Sequence, residues 1–153
     1  MLMTSTDVSK AQWDSDTLIF RYQSPAPLAM EWLSLAFSAN NRLRFIDAPS
    51  HIPLKVVERL GKSKMECKCK EHRVEGCYEV KIQGMGWGQY SAEGVKIRGL
   101  VLDILDVFEE EGWTIYASVD QKVGGEGSGG GDTDTWHCCR PKGWVPGMPV
   151  YHN

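Results

Sequence analysis

The stretch KMECKCKEHRVEGCYEVKIQ, residues 64–83, contains two runs in which apolar and polar side chains alternate. The apolar positions of the two runs are Met65, Cys67, Cys69, Tyr78, Val80 and Ile82. Successive side chains of a β-strand point to opposite faces, so this alternation is typical of strands with one buried face. The stretch therefore predicts an antiparallel hairpin with arms at 64–70 and 78–83 and one side facing solvent.

The next stretch, residues 91–111, has the period of a helix and reads SAEGVKIRGLVLDILDVFEEE. Its apolar stripe recurs at intervals of three and four residues and consists of Ile97, Val101, Ile104, Leu105 and Phe108. Ser91 is a typical N-cap, and Gly112 stands where the chain leaves the helix. A short helix is predicted over 52–60, with Pro53 in its first turn and Gly61 at its end.

Further strands are predicted on both sides of these elements, at 16–22, 31–38, 42–48, 113–120 and 133–140. Residues 28–49 also admit a helical stripe, but Ala39-Asn40-Asn41 favours a turn between two strands. The predicted fold is α+β, a mixed, mainly antiparallel sheet of about six or seven strands. The long helix (about 91–111) covers one face, with the short helix (about 52–60) beside it.

The 153 residues fit a single domain, 1–153, with two irregular segments. Residues 123–131 are rich in glycine and predict a flexible loop, whether natural or engineered. Residues 141–153 predict an extended C-terminal tail rich in proline and glycine. We expect the tail to fold back as an apolar strap that includes Trp144; a recognition peptide for a partner is the alternative.

Two segments of the sequence resemble each other, residues 5–21 and 118–140. Each contains Ser-x-Asp and a lysine, and then Asp-x-Asp-Thr leading into a strand that ends near an arginine. The similarity predicts two related halves or a unit that occurs in tandem elsewhere, with chance as the alternative. If the repeat is real, the two Asp-Thr strands are expected at equivalent places in one sheet.

Charge is distributed unevenly along the chain although the formal net charge is only −3. Residues 42–81 hold ten Lys/Arg and six Asp/Glu, whereas residues 99–135 hold nine Asp/Glu and one Lys. Such a dipolar surface favours oriented docking onto a charged partner, although solvated element faces are the ordinary explanation. The pI of about 5.8 is far from the basic value that is typical of nucleic-acid-binding domains.

The clustered cysteines and histidine near residue 70 offer soft ligands suited to zinc, and they are Cys67, Cys69, His72 and Cys77. Strand alternation places Cys67 and Cys69 on the apolar face and Cys77 on the other side, so we expect buried free thiols and no metal. His137, Cys138 and Cys139 are adjacent strand residues and point to opposite faces. No nucleophile elbow accompanies any cysteine.

The glycine-rich run 84–91 follows a strand and precedes the long helix, a place where backbone N–H groups can bind phosphate. It lacks the Gly-Lys-Ser/Thr of a P-loop, so we interpret it as a turn in which Trp87 packs over the helix start. We expect no cofactor.

These observations favour a non-catalytic protein-interaction module with a dipolar surface, and we expect the partner to be another protein. The alternative is nucleic-acid or anionic-lipid binding through segment 42–81; a cysteine- or zinc-dependent enzyme is third. The candidate partner-binding residues are Arg42, Arg44, Lys68, Lys70, Trp87, Tyr90 and Trp144. Five cysteines, no signal peptide and no membrane-spanning run predict an intracellular location, cytoplasmic or nuclear. Oligomeric state is left open.

Overall fold

The computed structural model describes residues 2–6, 17–21, 24–38, 41–84, 92–122 and 132–150. Eight strands and two helices lie in these ranges. In chain order they are β1 (Leu2–Thr6), β2 (Thr17–Arg21), β3 (Met30–Ser38), β4 (Arg42–Ile46), α1 (His51–Lys62), β5 (Cys67–Glu71), β6 (Tyr78–Ile82), α2 (Ala92–Glu110), β7 (Thr114–Lys122) and β8 (Asp132–Pro141).

The fold is α+β, as the sequence predicts. Strands β3 to β8 form one six-stranded sheet in the order β5-β6-β4-β3-β8-β7, and every pairing in it is antiparallel. Among the described strands, β1 and β2 pair only with each other, in a separate two-stranded sheet. The two Asp-Thr strands therefore lie in different sheets, and the expectation of equivalent places in one sheet is wrong.

The core lies between one face of the six-stranded sheet and both helices. The sheet contributes the inward positions that strand alternation predicts, which are Leu33, Leu35, Leu43, Phe45, Val80, Ile82 and Cys138. The helices contribute Ile52, Val56, Leu60, Leu100, Ile104, Val107 and Phe108. Phe45 from the sheet meets Phe108 from α2 edge to face, with ring centroids 6.5 Å apart.

The buried stripe of α2 is rotated from the predicted one. Leu100 and Val107 are fully buried, whereas Ile97, Val101 and Leu105 are only partly so. Residues 100, 104, 107 and 108 also follow helical spacing, so sequence periodicity admits both stripes. Contact with the sheet and α1 selects the stripe that is buried.

The two helix ends differ in how well the sequence predicts them. Gly112 has φ +78, and Trp113 N–H donates to the Phe108 carbonyl at 2.8 Å, as expected where a glycine terminates a helix. Gly61 does not terminate α1, which runs through it to Lys62. The left-handed residue after α1 is Lys64, with φ +61, and Met65 N–H donates to the Leu60 carbonyl.

Neither described helix is long and apolar enough to cross a membrane.

Candidate functional site

The sheet face opposite the helices carries a group of cations on β4, β5 and β6. We call the sheet face opposite the helices the open face. This group of cations is its basic half, and it consists of Arg42, Arg44, Lys68, Lys70 and Lys81. Register places Lys68 and Arg42 on either side of Lys81, and Lys70 and Arg44 on either side of Glu79. Neighbouring strands lie about 4.8 Å apart, so these side chains share a small area.

Glu79 is the single acidic residue in these two rows and is only 4% exposed. Its carboxylate meets Arg42 Nη1 at 3.3 Å, Arg44 Nε at 3.4 Å and Lys70 Nζ at 3.2 Å. Burial raises the pKa of Glu79, but pairing with Lys70, Arg42 and Arg44 outweighs burial and leaves this pKa below its ordinary value. One carboxylate offsets one charge, so the basic half retains a positive excess.

Exposed aromatic residues occupy the opposite end of the same face. Trp32 on β3 and Tyr116 on β7 meet edge to face with ring centroids 5.1 Å apart, and they are 49% and 43% exposed. We call Trp32 and Tyr116 the aromatic half. Trp32 lies four positions before Ala36, the β3 residue that pairs with Arg44. Four positions correspond to about 13 Å along a strand.

Ser34 and His137 lie between the two halves. Ser34 Oγ and His137 Nδ1 are 2.9 Å apart across the β3–β8 pair. Sequence reasoning missed this hydrogen bond because the two residues are 103 positions apart and only strand pairing brings them together. The bond ties β3 to β8 on the open face.

The acidic C-terminal end of α2 is paired within the molecule. Arg59 on α1 contacts Asp106 at 3.3 Å and also Glu110, while Lys55 pairs with Glu111. Acidic residues at a helix C-terminus oppose the helix dipole, and the sequence offers no reason for them. Their reason is tertiary: they bind the basic side of α1, so much of the predicted acidic pole is used internally.

The predicted site residues divide into three groups. Arg42, Arg44, Lys68 and Lys70 come together in the basic half. Trp87 and Tyr90 lie outside the described residues, as do Ser91 and the glycine-rich residues 85–90 and 123–131. Trp144 is a correction: it is 8% exposed and its ring lies against Gly112, so it acts as the expected strap and is not a surface contact.

All five cysteines are free thiols, and the surroundings of Cys67, Cys69, Cys138 and Cys139 favour the protonated form. Cys67 and Cys69 pack against the core, as alternation predicts, and burial raises both pKa values. Burial, with a smaller contribution from Cys139, raises the pKa of Cys138 to about 12. A protonated thiol is a weak nucleophile and a weak metal ligand. Within the described ranges no three His, Cys, Asp or Glu residues are grouped so that they could hold a metal.

A groove of about 780 Å³ lies between the end of α1, β5–β6 and α2. Its lining includes Lys64, Gln83, Lys96 and Asp103. Gly84, the first residue of the glycine-rich run 84–91, also lines it, and the rest of that run lies outside the described residues. The lining groups carry both signs of charge, so they select no single ligand class.

A protein-family model matches residues 31–139, from the start of β3 nearly to the end of β8. The chain belongs to this family. The family's domain is therefore the six-stranded unit with its two helices, and the match does not include β1 and β2. The family description names no activity, ligand or partner.

One solved structure similar to this chain is the crystal structure of a conserved kinetoplastid-specific protein from Trypanosoma cruzi. The two are 16% identical, the match covers 72% of this chain and 93% of that chain, and the TM-score is 0.46. No curated protein matches the chain.

Proposed function

We propose that this protein is a non-catalytic interaction module, and that the open face of its sheet binds a partner protein that presents an acidic surface. The observation that carries the proposal is the combination, on the sheet face opposite the two described helices, of five cations around a single carboxylate with an exposed pair, Trp32 and Tyr116. Arginine and aromatic side chains are enriched in protein interfaces and among their hot spots.

Charge separation gives the partner a preferred orientation. Asp106, Glu110 and Glu111 are paired with α1 on the opposite side of the sheet, whereas the basic half keeps a positive excess that an external partner can meet. Complementary charge steers encounter and sets the docking register more than it sets affinity. We therefore assign affinity mainly to Trp32 and Tyr116, and orientation mainly to the cations.

The five free cysteines suit a reducing compartment, so we place the interaction in the cytoplasm or nucleus.

The test is affinity purification of a partner by the full chain, followed by titration of the purified partner. Lys68→Glu with Lys70→Glu cancels the positive excess of the basic half, and Lys62→Glu with Lys96→Glu is a control with the same charge change elsewhere. Trp32→Ala removes the aromatic contact. We expect Trp32→Ala to weaken Kd about thirtyfold, equivalent to about 2 kcal/mol. We expect charge reversal to slow association, and the control to retain both values.

A partner that binds all three variants as tightly as the unsubstituted chain would refute the open face as its site. Circular dichroism and unfolding midpoints of each variant establish that the fold is intact, because all five substituted positions are at least partly exposed.

Single-stranded nucleic acid is the second candidate, since an exposed tryptophan on a sheet beside basic side chains is the arrangement that base stacking uses. A fluorescence titration with a single-stranded oligonucleotide distinguishes the two candidates. Nucleic acid is favoured if the logarithm of the binding constant falls linearly with the logarithm of the salt concentration and if binding depends on Trp32. A parallel titration with phosphatidylserine vesicles tests the anionic-lipid alternative.

A further inference from the structure

Two neighbouring rows of side chains cross β5, β6 and β4 on the open face, and they carry charge in different ways. The first, which we call the mixed row, consists of Lys70, Glu79 and Arg44. The second, which we call the cationic row, consists of Lys68, Lys81 and Arg42. The carboxylate at the centre of the mixed row contacts the cation on each side of it. The cationic row has a lysine at the corresponding place, so three cations lie directly opposite one another.

The repulsion within the cationic row is not offset by the described residues. Like charges directly opposite each other on neighbouring strands destabilise a sheet. No ion pair joins Lys68 or Lys81 to a carboxylate of the described residues. Arg42 reaches Glu79 diagonally at 3.3 Å, but only through Nη1, so the other donors of its guanidinium are left for another acceptor. An external anion would offset the repulsion.

Ser38 is an independent indication of a ligand at the end of the cationic row. It is the β3 residue directly opposite Arg42, and strand alternation places it on the open face. Ser38 is only 7% exposed, and its Oγ has no hydrogen-bond partner among the described residues. Buried hydroxyl groups are normally hydrogen-bonded, so this one indicates an acceptor that comes from a ligand. Directly opposite residues have Cβ atoms about 5 Å apart, which puts an anion bound by Arg42 within reach of Ser38.

The charge of the cationic row fits a phosphoryl group better than a carboxylate. A phosphorylated side chain carries nearly two negative charges at neutral pH and has three acceptor oxygens. Lys68 and Arg42 are two strand spacings apart, about 10 Å, so their long side chains can converge on one group above Lys81. A carboxylate or a phosphodiester carries a single charge and would leave most of the row unmatched.

We propose that Lys68, Lys81, Arg42 and Ser38 form a binding site for the phosphoryl group of a phosphorylated side chain on the partner protein. The two lysines and the arginine supply charge and N–H donors, and the Ser38 hydroxyl donates to one phosphoryl oxygen. The proposal rests on the function proposed above, because it specifies the acidic group that the partner presents to the basic half.

The first test compares two peptides that bind to the full chain. One is a phosphoserine flanked by glycines, and the other has glutamate in place of the phosphoserine. Titration at low ionic strength, followed through the amide resonances of β4, β5 and β6, measures each Kd. We expect the phosphoserine peptide to bind about tenfold more tightly, because its second charge and third oxygen engage the row.

Lys81→Glu is the most informative variant, because it gives the cationic row the charge pattern of the mixed row. We expect it to weaken binding of the phosphoserine peptide more than about tenfold. The same substitution should raise the melting temperature by about 2 °C, since it replaces repulsion by attraction across both strand pairs. Lys96→Glu makes the same charge change on α2 and should leave both values unchanged. Ser38→Ala should weaken the phosphoserine peptide about fivefold.

Equal affinity for the two peptides, or no binding of either, would overturn the proposal. Binding of the phosphoserine peptide that Lys81→Glu retains would do the same. A single-stranded oligonucleotide or phosphatidylserine vesicles that bind more tightly than this peptide, and that depend on Lys81, would assign the row to another ligand and refute the proposal.

Phosphatase treatment of the purified partner separates this proposal from the one on which it rests. We expect the treated partner to bind about tenfold more weakly than the untreated one. Unchanged binding that Trp32→Ala still weakens would refute the phosphoryl group and leave the open face as the binding site.

Discussion

When residues 5–21 are matched with 118–140, the hairpins β1–β2 and β7–β8 have the same register at three consecutive pairs, yet only the second is part of the six-stranded sheet. β8 is held by β3, and Trp144 beyond β8 packs against Gly112. Arg140 adds a hydrogen bond of 2.7 Å to Glu31 and another of 3.0 Å to the Glu111 carbonyl. Local sequence therefore sets the pairing inside a hairpin, whereas contacts from distant segments decide whether the hairpin contributes to a core.

The largest expected difference follows from proline at corresponding positions. His137 lies in a strand paired on both sides, so His137→Pro removes a ladder hydrogen bond from the sheet interior and should lower the free energy of unfolding by about 3 kcal/mol or more. Ile19→Pro, its counterpart in β2, should leave the main unfolding transition unchanged. Urea denaturation followed by circular dichroism measures both. An equal loss in the two variants would make β1–β2 an integral part of the six-stranded unit.

The contact between Gly112 and Trp144, which lies in the strap beyond β8, gives the next largest expected effect on stability. A Cβ on residue 112 would clash with the ring of Trp144, and φ there is +78. We expect Gly112→Ala to destabilise the chain by about 2 kcal/mol or more, from left-handed strain and from displacement of the ring.

Gly99→Ala is the matched control for the strap. Gly99 lies within α2 and nothing surrounds its Cβ position, so alanine there should stabilise by about 0.5–1 kcal/mol. Thermal melts of the two variants should therefore shift in opposite directions. An unchanged melting temperature of the Gly112→Ala variant would show that the contact between Trp144 and Gly112 does not stabilise the fold.

A smaller, pH-dependent effect comes from Glu111, which joins α1 to the start of the second hairpin. Burial raises the pKa of Glu111, but hydrogen bonds from Lys55 and His51 outweigh burial and lower this pKa overall. A carboxylate with a depressed folded pKa stabilises above its unfolded pKa of 4.5, and the stabilisation is lost as pH falls through the folded value.

We therefore expect Glu111→Gln to lower the free energy of unfolding by about 1–2 kcal/mol at pH 7. The difference in this free energy between the variant and the unsubstituted chain should become smaller as pH falls from 5 to 3. Denaturation midpoints over this pH range measure the difference. A constant gap at all pH values would assign the stabilisation to packing and not to charge.

The smallest expected effect concerns Cys138 in β8. Its pKa of about 12 and its burial predict that maleimide labels it only after the chain unfolds. Ile19→Pro should leave this labelling rate unchanged, because β2 lies in another sheet. Mass spectrometry of the labelled peptide measures the rate. Faster labelling in the variant would reveal contact between the two hairpins.

Much of the fold was predictable from local patterns. The β5 and β6 arms, the antiparallel pairing of β3 with β4, and Gly112 at the end of α2 each follow from alternation or backbone requirements. β1 was missed, since Leu2–Thr6 does not alternate. The buried stripe of α2 differs from the predicted one because two stripes fit the same helical period. In the candidate site, the four cations were predicted, whereas Trp32, Tyr116 and the bond from Ser34 to His137 depend on strand order.

Local sequence patterns predicted β2 to β8 and both helices, and also which side chains of β4, β5 and β6 point outward. Those properties depend on residues a few positions apart. Tertiary structure alone decided that α1 neutralises the acidic end of α2, that Trp144 is buried, and that one of two corresponding hairpins joins the main sheet. Each of these depends on residues that are distant in the chain, and their proximity results from packing the whole core.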